Sequence, residues 1–295
     1  MTKGTKITLR IFWYIAMMGF TIIMLYPFIF SLLAGLNSRQ EFAHMGALLP
    51  IPENPVFSNF AFAFSPRGIR PLINTILRTG WYTIIVSIMS ILIGYVMARY
   101  EFKGKNFFLV AILAVQMIPH VLTLIPGFVM MARLPFVGGN NWMGYGGSGL
   151  INNQLAIFLP LNWSFLVWSF LFMQVMKSMP KDFEEAAKLD GCGFWRIILQ
   201  VIFPMQKPII AVIAVNVALT VWNDWLTPFL YINDIQRSTL PAYLGMLTSQ
   251  LQRFGENDYP RLFALSTVAI VPPLLIFLFF QKHIIQGISS AGVKG

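Results

Sequence analysis

The chain has 295 residues, 57% hydrophobic and only 11% charged, with a net charge of +10 and a mean hydropathy of +0.68. A typical soluble domain is about 25% charged, so a chain this apolar would expose too much hydrocarbon to stay dispersed in water and is read as lipid-solvated. The basic residues form neither runs nor a basic–aromatic module, which argues against nucleic acid as a partner, and the lone Cys192 excludes an internal disulfide and any multi-cysteine metal site.

A bilayer-crossing helix needs about 20 mostly apolar residues. Six segments qualify, at about 10–36, 71–98, 106–132, 154–176, 208–232 and 262–281. The first is too long for a signal-peptide core and lacks a small-residue cleavage site, so it is expected to be retained. The expected fold is an all-α membrane protein, one transmembrane domain over residues 1–295 with six helices. Six spans put both termini on one side. Every lysine, with Arg10, Arg99 and Arg196, falls on that side, thirteen cations against eight arginines opposite, Arg78 among the eight. The positive-inside rule makes the lysine side cytoplasmic. The outer loops are then about 37–70, 133–153 and 233–261, and the middle one holds a glycine-rich stretch, 137–149, expected to be flexible.

Between the fourth and fifth spans lies a cytoplasmic loop, 177–207, with readable local signals. Ser178 is placed to cap a helix, Pro180 suits its first turn, and Asp182, Glu184 and Glu185 favour the positive end of its dipole. Gly191 is placed to end it in a left-handed conformation. A second apolar helix, about 194–203, follows and is expected to stop at Pro204.

The run Glu185-Ala186-Ala187-x-x-Asp190-Gly191, followed after nine residues by Val201-x-Phe203-Pro204, resembles the EAA loop of ABC importer permeases. Val201 and Phe203 stand where that family prefers Ile and Leu. The resemblance implies a coupling helix that docks in a groove of an ATPase subunit. Ala186 and Ala187 would permit close approach, Glu185 and Asp190 would meet partner cations, and Gly191 would turn the chain back under the membrane.

Two further features narrow the resemblance. Trp222-Asn223-Asp224-Trp225-Leu226-Thr227-Pro228 in the fifth span and the ending Gly292-Val293-Lys294-Gly295 are similar to stretches of carbohydrate-importing, maltose-type permeases, specifically the shorter permease partner. The resemblance implies a bacterial plasma membrane protein that is not itself an enzyme and forms half of a carbohydrate pathway. Its implied partners are a second, homologous permease, two ATPase subunits, an extracytoplasmic solute-binding protein and membrane lipid. ATP and magnesium would sit on the ATPase, since the chain has no phosphate-binding glycine loop, and no cofactor or metal is expected on this chain. Alternating access is the implied mechanism.

Polar groups inside spans are costly and mark function or helix contacts. Asn216, Thr220, Asn223 and Thr227 recur at spacings of four, three and four, hence on one expected helical face bordered by Asp224. Gln116, His120 and Thr123 sit beside Pro119 and Pro126 in the third span, where a broken helix is expected. Either set lines a translocation pathway or bonds neighbouring helices. Trp142, Trp163, Trp168, Trp222 and Trp225 are candidates for stacking on sugar rings or for packing and interfacial roles. A permease for a non-sugar solute, a membrane-embedded enzyme and a secondary transporter or channel remain as alternatives, although the three histidines are scattered.

Overall fold

A computed structural model describes residues 3–44, 46, 48–159, 164–254 and 258–292. Every regular element among them is helical. In chain order these are α1 (Lys3–Gly35), α2 (Arg39–Ala43), α3 (Ser58–Ala63), α4 (Pro66–Arg99), α5 (Lys105–Gln116), α6 (His120–Ala132), a 3₁₀ turn (Gln154–Ile157), α7 (Ser164–Ser178) and α8 (Asp182–Leu189). Then follow α9 (Phe194–Ile197), a π-helical turn (Ile198–Ile202), α10 (Phe203–Met205), α11 (Lys207–Asn223), α12 (Leu226–Tyr231), a second 3₁₀ turn (Ile235–Arg237), α13 (Leu240–Phe254) and α14 (Tyr259–Gly292).

Among the described residues, three stretches are long and apolar enough to cross a bilayer: Arg10–Gly35, Pro66–Arg99 and Tyr259–Lys282, with mean hydropathies of 2.0, 1.9 and 2.4. Two bent pairs raise the number to as many as five. The expected third span is such a pair, because α5 and α6 meet at 97°. Pro119 lacks an N–H and its ring excludes a continuous turn, so the ladder stops at Gln116 and restarts at His120. The expected fourth span, 154–176, is not one helix. It begins with the 3₁₀ turn, and its described helix, α7, has 15 residues. At about 1.5 Å per residue this is roughly 22 Å, short of the ~30 Å hydrocarbon core. The expected fifth span, 208–232, is interrupted between α11 and α12.

The chain divides into two compact units. The first comprises 1–69 and 244–271. Here Phe30 packs edge-on against Phe263 with centroids 5.5 Å apart, and Ser31 Oγ lies 3.0 Å from Thr267 Oγ1. A Cβ at Gly35 would lie 2.9 Å from the Ala264 backbone, so glycine sets that approach. Buried Asn59 donates to the carbonyls of Gly35 and Asn37, and Asn37 donates to Pro50, which satisfies the backbone where α1 ends. Along α1 large apolar side chains such as Phe12, Ile23 and Phe28 stay exposed, a surface suited to lipid or to another helix.

The second unit comprises 70–243 and 272–295. Its core joins Tyr82, Val86, Ile91 and Tyr95 of α4 to Phe172 and Met176 of α7, to Ile197, Ile198 and Ile202, and to Ile213, Val217 and Val221 of α11. Gly94 lets α4 and α7 meet closely, since a Cβ there would lie 2.7 Å from Ser169 O. The glycine-rich stretch is ordered rather than flexible. Asn140 is buried and donates to Ala132 O and Leu134 O, its Oδ1 accepts from Gly147 N, and Asn141 Oδ1 accepts from Met143 N and Tyr145 N. A Cβ at Gly147 would lie 2.1 Å from Gly138 O, so here the glycines permit backbone-on-backbone packing. Glycine content alone does not reveal the two asparagines' stapling role.

Candidate functional sites: a docking helix and a cleft at two helix breaks

The loop 177–207 folds as the expected pair of short helices, with corrections at its ends. Ser178 does not cap α8. It ends α7, its hydroxyl donating to Val175 O at 2.8 Å, because the chain must leave the helical region before Pro180. α8 starts after Lys181 without a side-chain cap, and Asp182, Glu184 and Glu185 occupy its first turn. Its end is as expected. Gly191 has φ +78°, Cys192 N donates to Ala187 O at 2.9 Å and Gly191 N to Lys188 O at 3.0 Å, the paired bonds of a Schellman cap. Pro204 does not stop the second helix. It lies within α10, and the wide π turn before it spreads the carbonyls its ring would strike, so the stop falls at Gln206.

The faces of α8 separate the predicted docking residues. Glu185, Ala186 and Asp190 are exposed, with Phe183 and Leu189 beside them. Glu184 and Ala187, which the resemblance to the EAA loop also counts among the coupling residues, are buried within the chain and do not face outward, a correction to that expectation. Ala187 packs into the core. Glu184 Oε1 accepts from Arg99 Nε at 2.6 Å and Oε2 from the Tyr95 hydroxyl at 3.0 Å, and Arg99 Nη2 donates to Met179 O at 3.0 Å. Both ion-pair side chains are almost fully buried. The Tyr95 ring also meets Phe194 at 5.8 Å. The end of α4 therefore grips both short helices. Beyond it, exposed Glu101 pairs with Lys105, whose hydrogen bond and charge hold the carboxyl below its usual range.

The second site forms where two helices break. Asp224, with ψ of 96°, ends α11. Its Oδ2 accepts from Arg78 Nη2 at 2.6 Å and its Oδ1 from Thr227 N at 3.2 Å. Arg78 is buried. Its Nε donates to Ile157 O, its Nη1 to Val221 O, and its guanidinium lies 5.2 Å from the Tyr82 ring centroid. Asp224 borders two cavities, of about 240 and 390 Å³, and Arg78 borders the smaller. Arg78, Tyr82, Thr227 and Tyr231 line the smaller, Gln116 and Thr220 the larger, and His120, Thr123 and Asp224 both.

Polar residues predicted from two separate spans thus converge on one place. Thr227 is the exception to its expected face. The break puts it on α12, while Asn216, Thr220 and Asn223 stay on one exposed face of α11, each bonded to the carbonyl four residues back. Asn216 and Asn223 do not line either cavity. Pro126 sits inside α6 without breaking it. Trp222 is too buried to stack on a ligand, Trp168 packs against the core, and Trp142 and Trp225 are exposed. Trp163 and residues 293–295 of the predicted tail lie outside the described residues.

Arg78, Arg99 and Tyr95 were not anticipated. Arg78 counted only as an outer-side topology charge, yet it lies eight residues inside the predicted second span, and an arginine there needs an acid. Asp224 is the one acidic residue within the predicted spans.

Residues 90–290 match the family described as "Binding-protein-dependent transport system inner membrane component". The chain belongs to that family. It is a permease subunit of an ABC-type importer, and α8 and Asp224 fall inside the matched region, whereas Arg78 and Tyr82 precede it. The permease is 31% identical over 281 residues to the arabinooligosaccharide transport system permease AraQ of Bacillus subtilis, covering 94% of this chain and 93% of that protein. It is 29% identical over 271 residues to the diacetylchitobiose uptake system permease NgcG of Streptomyces coelicolor, covering 92% and 84%. A chain from a bacterial ABC transporter involved in import of the acidic polysaccharide alginate shares its fold, with a TM-score of 0.75 at 20% identity over 96% of this chain and 99% of that one.

Proposed function

We propose that this permease forms half of a six-span-per-subunit pathway for an oligosaccharide and takes up the work of ATP hydrolysis through α8. The observation that carries the coupling role is the division of α8 into two faces. Its inner face is locked to α4 through Arg99 and Glu184, and its outer face leaves Glu185, Ala186 and Asp190 free for another subunit. A helix bound so firmly to a long apolar helix passes displacement to it. The names of the relatives support an oligosaccharide as cargo.

In this reading both termini and loop 177–207 lie in the cytoplasm of a bacterium, and the chain sits in the plasma membrane. It pairs with a second, homologous permease. Two ATPase subunits dock beneath, holding ATP and magnesium, and an extracytoplasmic binding protein delivers the solute. The cleft of Asp224, His120, Gln116 and Thr220 faces the pathway, with Asn216 and Asn223 extending the polar face of α11. Pro204 and Gly191 shape the ends of the docking element. This chain does no covalent chemistry.

The test is reconstitution of the complete assembly in proteoliposomes with a panel of oligosaccharides, amino acids and peptides. ATP-dependent uptake of an oligosaccharide is expected, with Glu185→Lys assembling normally but hydrolysing ATP without uptake. Uptake of peptides or amino acids alone would overturn the cargo, and normal coupling in Glu185→Lys would overturn the docking role.

A further inference from the structure

We infer that this permease carries its own subsite for a neutral sugar in the cleft at the two helix breaks, with Asp224 as hydroxyl acceptor and Arg78 as the residue that positions it. The inference rests on the oligosaccharide reading and goes further, in placing direct contact on this subunit and in specifying the charge of the ligand.

Non-helical backbone at membrane depth is tolerated only against protein or around a water-filled cavity. Two breaks, at 117–119 and at Asp224–Trp225, open onto cavities that share His120, Thr123 and Asp224. Together these volumes fall within the range of about 300–1,000 Å³ typical of small-molecule sites. The breaks therefore serve a chamber that holds polar matter.

The charges at that chamber are unequal in what they offer. Arg78 has its Nε, Nη1 and Nη2 all bonded, and its side chain is 4% exposed. The Asp224 side chain is 24% exposed and lines both cavities. A carboxylate has about four lone-pair sites, and Arg78 and Thr227 N occupy two. The remainder accept neighbouring hydroxyls of a sugar ring in charge-assisted bonds, while Thr123, Thr227 and His120 add short polar contacts. Arg78 borders the smaller cavity, but its nitrogens are engaged by the protein, and Asp224 is the more exposed charge of the pair. A uronate would thus meet like charge with no free guanidinium to bind it.

The experiment uses the full permease–ATPase assembly with its binding protein. A photoreactive diazirine derivative of a neutral trisaccharide, raffinose, is carried through transport and crosslinked. Label is expected in peptides spanning 120–131 or 224–231 of this chain. Label on the partner permease alone overturns the subsite. Uptake of raffinose, arabinotriose and trimannuronate is then compared in Gly127→Leu, Asp224→Asn and Asp224→Glu. A Cβ at Gly127 would lie 2.9 Å from the Tyr231 hydroxyl, so leucine there fills the smaller cavity. Neutral uptake is expected to fall at least about tenfold in Asp224→Asn, through loss of one charged hydrogen bond, to fall likewise in Gly127→Leu as the cavity is filled, and to be largely retained in Asp224→Glu. Trimannuronate uptake rises in Asp224→Asn as the guanidinium is released. Neutral uptake unchanged in both weakened variants overturns the inference. If the unmodified assembly imports no oligosaccharide at all, the importer reading itself fails, a distinct result.

Discussion

Replacing Arg99 with Met takes the guanidinium away from a carboxylate 2.6 Å distant and 4% exposed. The Tyr95 hydroxyl, 3.0 Å from Oε2, is left as its one described side-chain donor. Removing one partner of a buried pair costs about 3–5 kcal/mol, because the remaining charge stays desolvated. Tyr95 places the expected value near ~3 kcal/mol. At about tenfold per 1.4 kcal/mol, the ratio of gripped to released α8 falls roughly a hundredfold. Hydrogen exchange at 182–189 and the ATP consumed per solute imported report the two consequences. Both should rise in Arg99→Met. The double variant Arg99→Met/Glu184→Leu removes both charges, and a well-packed apolar pair is often neutral relative to the ion pair, so it should recover most of the protection and coupling. A single variant with unchanged exchange and stoichiometry, or a double variant no better than the single, would refute the mechanical role of this pair.

Other expectations follow from local geometry. Gly191→Ala meets no atom within 4 Å but places a side chain at φ +78°, so its cost is backbone strain of about 1–2 kcal/mol. It should speed exchange at the end of α8 without preventing assembly of the complex. Gly147→Ala puts a methyl 2.1 Å from Gly138 O and should unravel the loop 133–153, seen as new protease cleavage there. Gly94→Leu places its branch against Ser169 O and Phe172, forcing α4 and α7 apart. Recovery of folded permease from membranes should drop severalfold, whereas Gly80→Leu, with nothing within 4 Å of its Cβ, should not affect it.

Much of loop 177–207 is legible along the chain because its signals are local. First-turn acids, a left-handed glycine and an apolar second helix act over a few residues, and α8 ends just before the predicted glycine while α9 begins at the predicted Phe194. The same holds for the kink at Pro119, which follows from a missing N–H. The periodicity argument for Thr227 failed for a specific reason. A face computed at 3.6 residues per turn assumes an unbroken helix, and Asp224 instead turns out of α11 to accept from Arg78 and Thr227 N. The ordered glycine loop was missed because two asparagine side chains, rather than glycine composition, decide it.

By itself, the sequence determined the solvent of this protein and the presence of the two short helices in loop 177–207, since hydropathy and capping are properties of consecutive residues. It also supplied the polar residues of the expected third and fifth spans. Only the tertiary structure decided which way α8 turns its acids, burying Glu184 and leaving Glu185 exposed, and which arginine meets which carboxylate. Those pairings join residues 85 and 146 positions apart. Buried charges must find each other across the fold, and which ones can meet depends on how the helices pack.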